Sequence, residues 1–358
     1  NYPARARIIQ ASLNGLQENF DETLRLFYDL LENAQADKEA LDAYKARLMR
    51  ARENNKKNKG AIQRGLLAYA QYGADNPFNN GLSDAELEAV TPEQLIASLQ
   101  KLLNSEHKGL YYGPKTNNEI NKQLSKQLNL KRKLKEAPKG KTYVQRNITQ
   151  NEVYFADYDM VQVEVNFYRD AGNYDVNLVP ATRLFNEYFG GGMGSIVFQT
   201  IRESKALAYS TYAGLSTAGR KERLNTFTAY VGSQSDKFEE AVEAMHELLH
   251  EFPQSEAAFK NAKEAMHKKL VTDRINGSSI LSSYLEAQRL GIDYDLRKEI
   301  FNKLSGLELK DLGNLHSTFI KDKPYAYCII TDEDNISDEE LEKLGKLKKL
   351  SLEEIFGY

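Results

Sequence analysis

The sequence predicts an α+β protein made of two tandem copies of one unit, the first copy lacking its N-terminal portion. Three observations carry that reading. Period-two segments such as Val161, Val163, Val165 and Phe167, interleaved with Gln162, Glu164 and Asn166, alternate along the chain with helical-period segments such as Phe20, Leu24, Phe27 and Leu31. The helical segments recur at one ungapped offset: 218 residues after Phe20, Leu24, Phe27, Leu31, Leu41 and Leu48 stand Phe238, Val242, Met245, Leu249, Phe259 and Met266, apolar every time. The stretch 152–218 of the second copy has no counterpart in the first.

Taken in order, residues 5–17 are β-tolerant and lead into helices begun at Phe20 and near Asp37, the second reaching past Leu48. A third helix carries Ile62, Leu66 and Tyr69 and stops at Gly73, a residue type suited to a C-cap. Thr91-Pro92-Glu93-Gln94 reads as a helix start, with Thr91 capping, Pro92 at the first helical position and Gln94 completing a capping box. That helix runs to about Leu103, and a short strand, Leu110–Tyr112, is expected to close the unit. Stops at Gly73 and Gly291 keep the offset of 218, and near Thr91 it falls to 217, Leu95 matching Leu312.

Residues 114–147 differ in kind. Ten Lys or Arg face only Glu119 and Glu136, with Pro114, Pro138 and Gly140 as punctuation. Such a run fits a nucleic-acid or membrane-surface patch. Sparse aromatics favour a solvated linker with a short basic helix instead. The expected partition is therefore a truncated unit over 1–113, a basic linker over 114–147 and a complete unit with a tail over 148–358. In the second unit, a strand over 161–167 precedes a helix from about Pro180 to Tyr188. Gly190-Gly191-Gly192 stops that helix. A short helix (Ser195 to about Ser204), strands at 207–212 and 226–232, and a long helical run follow.

Composition excludes several classes. The 358 residues hold 48 basic and 51 acidic side chains, for a net charge of −3, so the chain is no bulk polycation. Cys328 is the sole cysteine, which rules out a disulfide framework and any multi-cysteine metal cluster. It fits cytoplasm and periplasm alike and leaves the compartment open. No apolar run is long enough to span a bilayer. The start, Asn1-Tyr2-Pro3-Ala4, reads as a cut made inside a longer protein.

His246-Glu247-Leu248-Leu249-His250 matches H-E-x-x-H on a helix, a spacing that sets two imidazoles on one face for zinc with the glutamate as base. Four observations point instead to a coincidental surface pair. Pro253 and Glu256 stand where a metzincin needs Gly and His. Met245, Leu248, Leu249 and Phe252 already form the buried stripe, leaving both histidines at its edge or outside. The first copy has Tyr28, Asp29 and Glu32 at these positions, and so short a motif arises readily by chance. Gly190-Gly191-Gly192-Met193-Gly194 follows a helix rather than a strand and lacks Gly-Lys-Ser/Thr. It reads as a helix stop and not a phosphate loop. His107, His267 and His316 read as surface or capping residues.

The run Leu184-Phe185-Asn186-Glu187-Tyr188-Phe189-Gly190-Gly191-Gly192-Met193-Gly194-Ser195, continued by Arg202-Glu203-Ser204-Lys205-Ala206-Leu207-Ala208-Tyr209-Ser210, closely resembles the M16 metallopeptidase family of pitrilysin, insulin-degrading enzyme and the mitochondrial processing peptidases. Flanking elements extend the resemblance over nearly the whole chain, and Glu353–Tyr358 looks like a natural C-terminus. The resemblance implies tandem α/β sandwich units, each an antiparallel sheet covered by helices. It also implies zinc held by H-x-x-E-H in an N-terminal half, with the motif's glutamate activating water. No H-x-x-E-H exists here, and the nearest partial match, Glu106-His107, has Leu103 in place of the first His. The resemblance therefore implies the C-terminal half, with no metal or cofactor in this chain and zinc in a full-length parent. Its partners would be a peptide or small-protein substrate and the N-terminal half, with no nucleic acid and no membrane span. Arg202 and Tyr209 match the pair that the family's C-terminal half directs at the substrate carbonyl. Two other functions stay open: a non-catalytic binding or scaffolding subunit, and a zinc hydrolase using His246, Glu247 and His250.

Overall fold

The computed structural model describes residues 10–127 and 134–358. The chain start, positions 5–9 of the β-tolerant stretch and Lys131, Arg132 and Lys133 of the basic stretch lie outside these. The elements, in order, are α1 (Phe20–Glu32), α2 (Lys38–Lys56), α3 (Lys59–Tyr72), α4 (Asp84–Ala89), α5 (Pro92–Leu103), α6 (Asn117–Gln127), β1 (Glu152–Asp157) and β2 (Gln162–Asn173). They continue with α7 (Val179–Phe189), β3 (Ser210–Ser216), β4 (Leu224–Gln234), α8 (Phe238–His250), α9 (Glu256–Thr272), α10 (Gly277–Leu290), α11 (Leu296–Leu304) and α12 (Leu309–Phe319). The last are β5 (Ala326–Thr331), α13 (Asp338–Leu344), β6 (Lys346–Lys349) and α14 (Leu352–Phe356).

The repeat reappears in the helix boundaries. α1 and α8 start 218 residues apart and have equal length, and α2, α3 and α9, α10 keep the same offset at their starts. The capping chemistry repeats with it. Asp37 and Ser255 accept from the amide three residues on, as do Asn58 and Asn276, each holding an otherwise orphaned donor. Thr91 and Gln94 form the expected capping box, and Glu308 with Asp311 forms its counterpart. Even one tertiary contact is copied. Lys45 donates to the carbonyls of Glu88 and Val90, both at 2.6 Å, and Lys263 donates to those of Ser305 and Leu307, both at 2.8 Å.

Packing divides the chain differently from the repeat. Residues 1–57, 80–142 and 357–358 cluster as one unit, and 58–79 with 143–356 as the other. The second unit holds a six-stranded sheet in the order β3-β4-β2-β5-β1-β6. Its β3-β4-β2-β5 part is antiparallel, while β1 runs parallel to both β5 and β6. One face supplies Val153, Phe155, Val163, Val165, Phe167, Phe227, Ala229, Val231, Tyr327 and Ile329 to the main core. Leu184, Phe185, Phe189 and Met245 of α7 and α8 close over them. Each of the valine, leucine, isoleucine, phenylalanine and methionine side chains among these contributes about 1.5–3 kcal/mol by leaving water.

The opposite face belongs to α3. Ile62 and Leu66 are fully buried, Tyr69 packs on Tyr154 with centroids 5.2 Å apart, and Gln63 donates to Glu164 on β2. Arg146, one of the ten basic residues of 114–147, fastens this helix. Its amide donates to the Gln71 carbonyl, its Nη2 donates to both carboxylate oxygens of Glu152, and its Nη1 donates to the Tyr154 hydroxyl and the Ala70 carbonyl. The alternating strand is consequently buried on both sides. Val161 is exposed and outside β2, while Glu164 and Asn166, polar positions that alternation turns toward water, are covered.

The first unit is helical among its described residues. Phe20 of α1 meets Tyr111 edge to face at 5.3 Å, and Arg52 of α2 lies over the Tyr358 ring at 4.3 Å. The expected strand Leu110–Tyr112 does not form. Its counterpart in the second copy, β5, sits between two partners, and a strand without partners cannot satisfy its backbone groups in a ladder. The same lack shows on α1. Leu26 and Leu30 are 50% and 68% exposed, whereas their equivalents on α8, Ala244 and Leu248, are buried against the core.

Candidate functional site

Arg202 and Tyr209 stand on either side of an irregular connection into the edge strand β3. Phe198–Ser204, expected as ordinary helix, is a π-helical turn in which Lys205 N–H reaches back to the Thr200 carbonyl at 3.0 Å. Such wide turns cost hydrogen-bond geometry and concentrate at functional sites. Ala206 follows with φ of 51°, an uncommon conformation for a residue with a Cβ. Leu207 N–H then bonds the Ile201 carbonyl, and Leu207 itself is buried. These constraints delay the strand, which starts at Ser210 rather than at the expected Leu207.

The turn leaves both side chains reaching solvent. Arg202 lays its guanidinium over the Phe198 ring, 4.8 Å from its centroid, with Glu203 3.8 Å away. Tyr209 is 46% exposed, its amide tied to the Gly232 carbonyl. The two are not hydrogen-bonded to each other. A guanidinium and a phenol on one connection form a donor pair suited to an oxygen on which negative charge develops.

The glycine-rich turn proves to be a backbone clamp on β3. The Asn186 carboxamide pairs with both the amide and the carbonyl of Leu215, each at 2.8 Å. One turn later the Gly190 carbonyl accepts from Ala213 N–H. A Cβ at Gly190 would stand 2.3 Å from both the nitrogen and the oxygen of Ala213, so only glycine lets α7 end against the strand. Asn186 was invisible as a functional residue in the sequence, because its partner lies 29 positions away. Gly192 and Gly194 have open space around them, and no phosphate cradle forms.

The H-E-x-x-H residues face three different ways. His246 turns inward, its Nε2 3.0 Å from the Tyr327 hydroxyl and its ring edge-on to Phe167. Glu247 pairs with Lys205 at 2.7 Å, and His250 Nδ1 lies 2.6 Å from Asp322 Oδ1. Among the described residues no cluster of three His, Cys, Asp or Glu side chains is placed to hold a metal ion. The residues present therefore do not fit zinc.

His316, expected as a surface or capping residue, is buried, and its Nε2–H donates to the Leu248 carbonyl in the last turn of α8 at 3.0 Å. The helical spacing around α12 gave no sign that this position faces α8. Burial holds His316 and His246 below the ordinary 6.5, so the fold favours their neutral forms. The unfolded chain takes up these protons first as pH falls through 6.5. Their contribution is thus complete above that pH and is lost below it, until the folded-state groups titrate as well. His316→Gln keeps a donor for Leu248 and is expected to flatten the fall of urea-measured stability between about pH 7 and 5. An unchanged slope would assign that fall to other groups.

A model described as the peptidase M16 inactive domain matches residues 89–266, nearly half the chain and including the clamp, the π-turn and the β3–β4 hairpin. This stretch is similar to the M16 inactive domain. Two relatives are named as uncharacterized zinc proteases. YmxG of Bacillus subtilis (strain 168) is 28% identical over 157 residues, which cover 43% of this chain and 37% of the relative. A Rickettsia felis protein is 27% identical over 229 residues, covering 63% and 53%. The chain thus spans roughly a third to a half of the length of these relatives. The M16 fold is matched by a conserved protein from Enterococcus faecalis V583, with TM-score 0.70 at 17% identity over 91% of this chain and 77% of that one. A peptidase M16 inactive domain from Pseudomonas fluorescens gives 0.67 at 14% identity, over 88% and 76%.

Proposed function

We propose that this chain acts as the C-terminal, non-zinc-binding portion of an M16 zinc metallopeptidase, walling half of a chamber that encloses a peptide. The zinc and its ligands would come from an N-terminal half of the same protein, with the repeat copies over 1–113 and 148–358 following in sequence on either side of the 114–147 linker, and residues 58–79 of the first copy packed with the second. Arg202 and Tyr209 would donate to the substrate carbonyl oxygen as water attacks the carbon, stabilising the charge that gathers there. The observation that carries this reading is the pair's presentation: two exposed donors on a strained connection whose outgoing strand is clamped by Asn186 and Gly190. Donors held by rigid neighbours lose little freedom when a substrate arrives. The clamp occupies the outer edge of β3 at Ala213 and Leu215, so a peptide added as a strand would engage the end near Tyr209.

In the complete protein, Arg202→Ala and Tyr209→Phe are each expected to lower kcat by about 10²–10³-fold, the cost of one oxyanion donor, with melting temperature unchanged. The chain alone is expected to leave peptides intact even with added zinc. Turnover by the chain alone, abolished in His246→Ala, would overturn the proposal in favour of the H-E-x-x-H residues. Unchanged kcat in both variants would leave a binding or scaffolding role.

A further inference from the structure

Glu164 sits in the middle of β2 on the sheet face crossed by α3, its side chain only 7% exposed. A carboxylate there is costly unless answered, and three groups answer it. Lys59 Nζ lies 2.5 Å from Oε1 and Gln63 Nε2 lies 3.2 Å from Oε2, both from the first turns of α3. The third is the Tyr230 phenol, whose proton is held more tightly by burial and by the neighbouring carboxylate. The Tyr230 ring stacks on Tyr212 with centroids 5.2 Å apart and planes at 15°, and Tyr212 opens to solvent. Two residues along the same face, Asn166 is fully buried. Its Oδ1 is 3.4 Å from the Tyr212 hydroxyl, and its Nδ2 has no hydrogen-bond partner.

Attachment of α3 does not require a buried carboxylate here, since Ile62, Leu66 and Tyr69 already bury the helix and Arg146 fastens its end. A buried carboxylate beside stacked phenol rings has the chemistry of a cation subsite, with charge-assisted hydrogen bonding on one side and aromatic faces on the other. Lys59 meets that demand from within the chain. Its side chain is nearly half exposed, so its ammonium can leave for water by rotating its own flexible stem. The spare Asn166 amide then lies on the same face as a donor for a peptide carbonyl.

We propose that Glu164, Tyr212, Tyr230 and Asn166 form a subsite for a Lys or Arg side chain of an extended peptide, filled at rest by Lys59. The proposal rests on the peptide-handling role above but uses a different part of the sheet from Arg202 and Tyr209. Two peptides of equal length, identical except for arginine or the neutral isostere citrulline at the centre, test it by calorimetry on the unmodified chain. The arginine peptide is expected to bind at least about tenfold more tightly, which corresponds to one charge-assisted pair. Lys59→Met is expected to tighten the arginine peptide severalfold and leave the citrulline peptide unchanged. The double variant Lys59→Met/Glu164→Gln leaves no unpaired charge at this site and is expected to keep the parent's far-UV circular dichroism and to erase the preference. Equal binding of both peptides by the unmodified chain overturns the subsite alone and leaves Glu164 as the tether of α3. Binding of neither peptide overturns the peptide-handling role beneath it as well.

Discussion

Gly190→Ala is expected to lower the unfolding free energy of the sheet-bearing unit by about 2–3 kcal/mol, the upper end of what overpacking costs. The added methyl would meet the Ala213 backbone at 2.3 Å on both nitrogen and oxygen, and backbone in a paired strand cannot step aside as a flexible side chain can. Relief requires α7 to retreat from β3, which also pulls Asn186 off Leu215. Gly192→Ala, two residues on, meets nothing within 4 Å and is expected to stay within about 0.5 kcal/mol of the parent. Urea unfolding of the two variants side by side decides the matter. Equal losses would mean that the glycines serve chain flexibility and not the close approach of helix and strand.

Leu66→Ala carries the other large effect, an expected loss of about 2–5 kcal/mol. Leu66 is fully buried on α3, against the face of the sheet opposite the main core, and truncation leaves a void there. Leu26→Ala on α1 removes the same atoms from a half-exposed site and is expected to cost less than about 1 kcal/mol. Thermal melts of both would check the contrast. A mild Leu66→Ala would show that α3 is held chiefly by Arg146 and the Glu164 contacts.

Local chemistry was readable in the sequence, and long-range allegiance was not. The caps at Asp37, Thr91 and Ser255 depend on residues three positions apart, so offset and boundary could be read together. The apolar face of α8 follows from helical spacing alone. By contrast, nothing in the spacing of Ile62, Leu66 and Tyr69 shows which sheet they cover, and that choice decides whether Glu164 and Asn166 meet water. The strand at Leu110–Tyr112 failed for the same reason: its composition suits a strand, but pairing depends on partners elsewhere in the chain. The burial of His316 could not be read, because its acceptor, the Leu248 carbonyl, lies 68 residues away. At the candidate site, Arg202 and Tyr209 were legible through resemblance. The π-turn and the Asn186 clamp that present them were not, since both depend on backbone geometry that side-chain identity leaves open.

The membership of α3 has a practical bearing on how this protein can be taken apart. Because residues 58–79 lie with the sheet while 1–57 and 80–142 lie with the other unit, the chain passes between the two units at 57/58, at 79/80, at 142/143 and again at 356/357. An expression boundary drawn at residue 148 would not yield a free second unit. It would yield a sheet stripped of its α3 cover, with Tyr154, Ala156, Cys328 and Ile330 laid open on one face. Exposed apolar strands of that kind aggregate, so dissection of this protein succeeds only if the excised piece brings residues 58–79 with it.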